Sequence, residues 1–134
     1  MKVLRRHWLA AAVLVVLAVC GAAYMARPRL QAERFVTQHG AELEEQIQTD
    51  ETLPEELDVT LWDGEHPMAE VILFAWGDTY YGCYYSPDGV PLPFQNTGLP
   101  LHEEKGGWSW ATQGDNHGFT AQLEGNWYYF EASF

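Results

Sequence analysis

Residues 70–76 (EVILFAW) and 79–85 (TYYGCYY) are separated by nothing but Gly77 and Asp78. Two apolar runs joined by two such residues read as an antiparallel hairpin. The implied register pairs Trp76 with Thr79, Phe74 with Tyr81, Leu73 with Gly82 and Ile72 with Cys83. One face then carries Ile72, Phe74, Trp76, Tyr81, Cys83 and Tyr85, and the other Val71, Leu73, Ala75, Tyr80, Gly82 and Tyr84. Both faces are apolar, which predicts a central hairpin covered on both sides. Gly82 leaves room opposite Leu73, and Cys83 reads as a small buried hydrophobe rather than a reactive thiol.

The flanking segments supply the covering. From residue 29 to 48 the period is helical: Ala32, Val36, Leu43 and Ile47 share a stripe with Gly40, Phe35 widens it, and Glu33, Glu42, Glu44 and Glu45 lie opposite. Such an amphipathic helix needs a sheet or a partner over its apolar side. Gly40 costs about 1 kcal/mol relative to alanine, which points to close packing there. Residues 49–56 (TDETLPEE) break the helix, and residues 57–62 read as a short strand. Further strands are expected at 107–112, with Trp108 and Trp110 on one face, at 119–124, and at 127–134. In the last, Tyr128, Phe130, Ala132 and Phe134 point inward and Trp127, Tyr129, Glu131 and Ser133 outward. Residues 86–106 hold four prolines and no period, so they form either an ordered extended segment along the sheet edge or a functional loop. The fold expected is α+β: an amphipathic helix packed on an antiparallel sheet of about six strands. The organisation read from the chain is a basic tail (1–8), a membrane segment (9–26), the amphipathic helix and its linker (27–56) and an antiparallel β domain (57–134).

Residues 9–26 (LAAAVLVVLAVCGAAYMA) carry no charge. As a helix they reach about 27 Å, just short of a hydrocarbon core of about 30 Å. Trp8 and Tyr24 stand near the ends, where amphipathic rings favour the headgroup level. A single-pass anchor is the first expectation, and cleavage as a signal peptide, for instance after Ala23, the second. Lipidation of Cys20 ranks last, because Val19 occupies a position where a lipobox wants a small residue. Lys2, Arg5 and Arg6 before the segment balance Arg27, Arg29 and Arg34 after it, so charge counting leaves the orientation tied. The short basic start resembles an export signal and places the C-terminal domain outside the cytoplasm, at the cell membrane.

All 19 acidic residues follow this segment, and Arg34 and Lys105 are the only Lys or Arg beyond residue 29, for a formal charge of −17 over residues 30–134. That field repels nucleic acid and anionic headgroups and suits a cationic partner or plain solubility. Cys83 has no cysteine to pair with in the domain, so the fold rests on its core.

Aromatic residues are the unusual feature. Trp127 and Tyr129 share a strand face with Glu131, and Trp108 and Trp110 lie near them across the meander. These four are the candidate ligand-binding residues, because a flat row of rings with acids nearby can stack on sugars or grip a peptide. The plainer reading is cross-strand pairing that only stabilises a sheet. Asp115, Asn116 and His117 form a Gly-flanked turn rather than a metal site. The histidines at 7, 39, 66, 102 and 117 lack ligand spacing, no nucleophile elbow or phosphate loop is present, and Glu103 and Glu104 point opposite ways in an extended segment. No cofactor, metal or catalytic residue is expected.

The runs YYGCYYSPDGVPLPF, GWSWATQGDNHG and NWYYFEASF, within residues 79–134, resemble a family of short, uncharacterised, membrane-anchored bacterial proteins. The resemblance implies an anchored bacterial protein and carries no residue roles. In outline the arrangement also resembles pilin-like subunits, without their N-terminal processing motif. The function expected is a non-enzymatic binding or interaction module whose aromatic sheet face meets a wall glycan, a peptide or a protein partner, and no nucleic acid. A structural subunit at the membrane surface is the alternative, and a hydrolase with an unrecognised site the third.

Overall fold

A computed structural model describes the backbone of residues 2–25 and 27–134, and the side chains within it except those of residues 2–6, 24 and 25. Helix α1 runs Lys2–Met25. Its described apolar side chains stand open, with Leu14 67% and Leu17 62% exposed. Among the described residues no single helix is long and apolar enough to cross a membrane; the bent pair His7–Ala23 and Pro28–Thr49 meets that condition only when taken together. The expected membrane segment is thus seen as a helix and not established as a span. Ala26, its last expected residue, and the side chains of Tyr24, Lys2, Arg5 and Arg6 lie outside the described residues.

Pro28 opens α2 (Pro28–Phe35), where its missing N–H costs nothing. A π turn, Val36–Gly40, leads into α3 (Ala41–Thr49). The turn lies over Trp127: a Cβ on Gly40 would stand 3.3 Å from the indole nitrogen and 3.1 Å from Val36. The expected close packing at this glycine is therefore present. Asp50 ends α3 in the left-handed conformation, and the Glu51 N–H bonds back to the Gln46 carbonyl.

The strands are β1 (Val59–Trp62), β2 (Met68–Trp76), β3 (Thr79–Tyr85), β4 (His102–Glu104), β5 (Gly107–Ala111), β6 (His117–Gln122) and β7 (Trp127–Ser133). They form one antiparallel sheet of order β1-β2-β3-β7-β6-β5-β4. The count is seven rather than about six because β4 emerges from the end of the proline-rich stretch. The expected strand at 57–62 starts later, since residues Glu55–Leu57 make a 3₁₀ turn and Asp58 is left-handed.

Both faces of the sheet are covered over its middle, while the turn end of the hairpin, expected to be covered as well, stands open, with Trp76 70% and Ile72 39% exposed. On one face, Ala32, Val36 and Leu43 of the helices pack on Ala69, Val71, Cys83, Tyr85, Trp127 and Tyr129. On the other, Leu92 and Phe94 pack on Met68, Tyr84, Trp110, Tyr128, Phe130 and Ala132. The cover on this second face is the stretch 86–101, which crosses the strands as an extended strap instead of following the sheet edge. Prolines 87, 91, 93 and 100 keep it from helix and from pairing as a strand.

A cross-strand row fastens the strap. Glu70, Tyr84 and Tyr128 are register partners on β2, β3 and β7. The Tyr128 hydroxyl donates to the Gly89 carbonyl at 2.9 Å, the Leu92 N–H donates to the Tyr84 hydroxyl at 2.8 Å, and the Gln95 N–H donates to Glu70 Oε2 at 2.9 Å. Three side chains in a line thus supply partners for backbone groups at every third strap residue, as a buried chain without a ladder requires.

The hairpin holds with one correction. Trp76–Thr79 and Phe74–Tyr81 pair as expected, but a bulge between Ile72 and Phe74 sets Ile72 opposite Gly82 and Val71 opposite Cys83. Leu73 is the extra residue, and beyond it the facing is reversed, so Val71 joins Cys83 on the helix side.

Candidate functional site

The four rings expected to form a binding face do not share one. Trp127 (3% exposed) and Tyr129 (4%) lie under the helices, whereas Trp110 (4%) and half-buried Trp108 lie on the strap side. The outward reading of Trp127 and Tyr129 is corrected by the helix layer: residues 127–130 of β7 are buried on both faces, and only Glu131 and Ser133 are half-buried. Glu131, which marked that face as wet, accepts a 2.9 Å hydrogen bond from the Tyr129 hydroxyl. Burial, with Glu131 adding to it, pushes this phenol far above its ordinary range. The Cys83 thiol is likewise held protonated by burial, as its reading as an inert hydrophobe requires.

Trp127 borders a cavity of about 280 Å³ beside the π turn, and Trp108 reaches a larger one. The cleft at Trp108, of about 570 Å³, is lined also by residues 64–66 of the β1–β2 loop and by strap residues 91–93, 96–99 and 101. The Trp108 ring rests on Tyr128, centroids 6.3 Å apart. The cleft is built by contacts distant in sequence. Asn96 Nδ2 donates to the His66 carbonyl at 2.8 Å and, more weakly, to that of Asp63 at 3.4 Å, tying the loop to the strap. Gly64 makes room for this amide: a Cβ there would lie 2.7 Å from Asn96 Nδ2. Gln95 and Asn96 are both left-handed, with φ of 53°, a conformation asparagine tolerates and glutamine resists. The Glu70 carboxylate, gripping the Gln95 N–H from the buried row, holds that strained corner.

His66 stands at the rim with Nδ1 2.8 Å from Asp88 Oδ2. The carboxylate fixes the ring and leaves Nε2 as an acceptor when the imidazole is neutral. A carboxylate-held imidazole is part of an acid–base relay, but among the described residues no hydroxyl or thiol is hydrogen-bonded to it. His117 Nδ1 meets a backbone oxygen, that of Asp115, at 2.8 Å, and His102 lies on the exposed β4. Among the described residues no three His, Cys, Asp or Glu side chains gather as a metal site. Cys20 is exposed on α1. The cleft is therefore lined by proline and leucine side chains and Trp108, with polar groups from Glu65, His66 and Asn96.

Of these groups sequence reasoning found Trp108 and missed His66, Asp88 and Asn96. Their partners lie 22 and 30 residues apart. The usable signals were Asn96 two residues before Gly98 in a proline-rich stretch, and Gly64 in the loop it meets. No family model, curated protein or solved structure matches the chain.

Proposed function

We propose that the protein is a membrane-tethered, non-enzymatic binding module that presents the Trp108 cleft outside the cytoplasm to a glycan of the cell wall. Residues 9–26 serve as the single-pass anchor. Their uncharged run and the open apolar side chains of α1 support this, and so does the commitment of α2 and α3 to the sheet, which among the described residues leaves α1 as the helix whose apolar surface lacks cover. The resemblance of residues 79–134 to membrane-anchored bacterial proteins points the same way. The acidic domain is repelled by anionic headgroups, which favours a position clear of the bilayer.

The observation that carries the reading is the cleft itself, whose size falls within the usual range for small-ligand sites. A sugar ring has an apolar face to lay on Trp108 and hydroxyls that both donate and accept, matching Asn96, His66 and Glu65. Titrating neutral wall fragments into the full chain in an uncharged detergent should change tryptophan fluorescence saturably, and Trp108→Ala should weaken binding by about 10-fold or more. A flat titration, or one that Trp108→Ala leaves unchanged, contradicts the assignment. A response to extended peptides but not to wall fragments replaces the glycan with a peptide.

A further inference from the structure

A second cavity, of about 340 Å³, lies on the strap face where β2 turns into β3. Three rings shape it. Tyr80 and Phe94 are near-parallel, 21° apart with centroids 6.1 Å from one another. Phe134 stands across both, at 70° and 6.0 Å from Tyr80 and at 54° and 5.5 Å from Phe94. All three rings line the cavity. A cation held over the open face of Tyr80 or Phe134 would lie within the reach of a cation–π contact, about 6 Å from the ring centroid. Ile72 closes the side, and Asp78, in the hairpin turn, stands on the rim. Phe94 belongs to the core, at 6% exposed, but Tyr80 is 38% and Phe134 47% exposed.

We propose that this pocket binds an organic cation, an ammonium group carrying methyl or similar alkyl substituents. Ring faces attract positive charge without supplying hydrogen bonds. They suit an alkylated ammonium, which needs few, better than a lysine-type ammonium, which loses three. Asp78 provides the one carboxylate in the wall, and the charge of −17 carried by residues 30–134 draws cations toward the domain and repels anions. An uncharged ligand of the same shape gains the apolar contact alone. The site shares no lining residue with the Trp108 cleft and stands or falls apart from it.

The test uses the full chain in an uncharged detergent, with the ring protons of Tyr80 and Phe134 followed by NMR during titration with choline chloride. Choline should shift them saturably, while 3,3-dimethylbutanol, which has its shape without its charge, should bind at least about 5-fold more weakly. Tyr80→Leu, which keeps apolar bulk, and Asp78→Asn, at an exposed turn, should each weaken choline by several-fold with the rest of the spectrum retained. Equal binding of the neutral analogue, no saturable shift, or indifference to both substitutions overturns the proposal. Repeating the measurement in phosphatidylcholine and phosphatidylglycerol nanodiscs separates the sources. Shifts in the first lipid without added choline assign a lipid headgroup, shifts only on adding choline assign a free cation, and shifts in neither case count against the site.

Discussion

Gly82→Ala is expected to lower the stability of the sheet domain by about 3 kcal/mol, the upper part of the range for overpacking a core. Gly82 sits in β3 between β2 and β7, opposite Ile72 and Phe130. An added Cβ would overlap the Val71 carbonyl oxygen and stand 2.9 Å from two carbons of the Phe130 ring. Neither neighbour can give way. The carbonyl belongs to the backbone of a strand paired on both sides, and it lies beside the bulge at Leu73. The Phe130 ring is 2% exposed and pressed against Phe94 at 5.3 Å. Gly114→Ala is the control: its nearest neighbour is 3.9 Å away, its φ is not positive, and the change should fall within about 0.5 kcal/mol. Urea unfolding followed by near-UV circular dichroism reads both. A loss of 1 kcal/mol or less at Gly82 contradicts the close approach of β2 and β3.

Glu70 gives the second large effect, and its size depends on pH. The residue is 2% exposed, and burial raises its carboxyl above the ordinary value of 4.5, opposed by the Gln95 N–H and more weakly by the Trp62 indole, which stands near without hydrogen-bond geometry. A raised acid makes the folded state bind the extra proton. Its contribution is therefore complete below about pH 4.5 and is lost as the pH climbs through the folded value. Glu70→Gln keeps an acceptor for Gln95 and abolishes the ionisation. The variant should gain on the wild type steadily as the pH rises above 4.5, so subtracting the two unfolding curves removes the other 18 carboxylates from the comparison. Glu70→Ala orphans the N–H at a left-handed corner and should cost about 3 kcal/mol. A difference between glutamine and wild type that is flat from pH 4.5 to 7.5, or that falls as the pH rises, rejects the burial account.

The architecture was legible wherever one residue pattern met one physical demand. Gly77 and Asp78 between two apolar runs dictated the hairpin, and apolar residues on both sides of it called for two covering layers. The stripe Ala32, Val36, Gly40 and Leu43 announced one of those layers, and all four are buried. The second layer was hidden because a strap has no period: its backbone at residues 89, 92 and 95 is held by Tyr128, Tyr84 and Glu70, whose partnership appears only once β2, β3 and β7 lie side by side. The bulge at Leu73 was equally silent, since it shows only in the register of β2 against β3. For the same reason Trp127 and Tyr129 were misread. Alternation assigns one wet face to a strand, and a strand under two layers has none. The cleft was the least legible part, because Asn96, His66 and Asp88 meet through loops that the strap brings together.

Membrane flotation is the most direct test of the proposal that α1 holds a separately folded acidic module at a bilayer. The intact chain mixed with phosphatidylcholine vesicles should rise with them in a density gradient and resist alkaline carbonate. A Leu14→Arg, Leu17→Arg variant, with charge at two exposed positions of α1, should stay below while keeping the near-UV signature of the sheet. Wild-type protein that remains free of the vesicles, or a variant that loses that signature together with its flotation, contradicts the account.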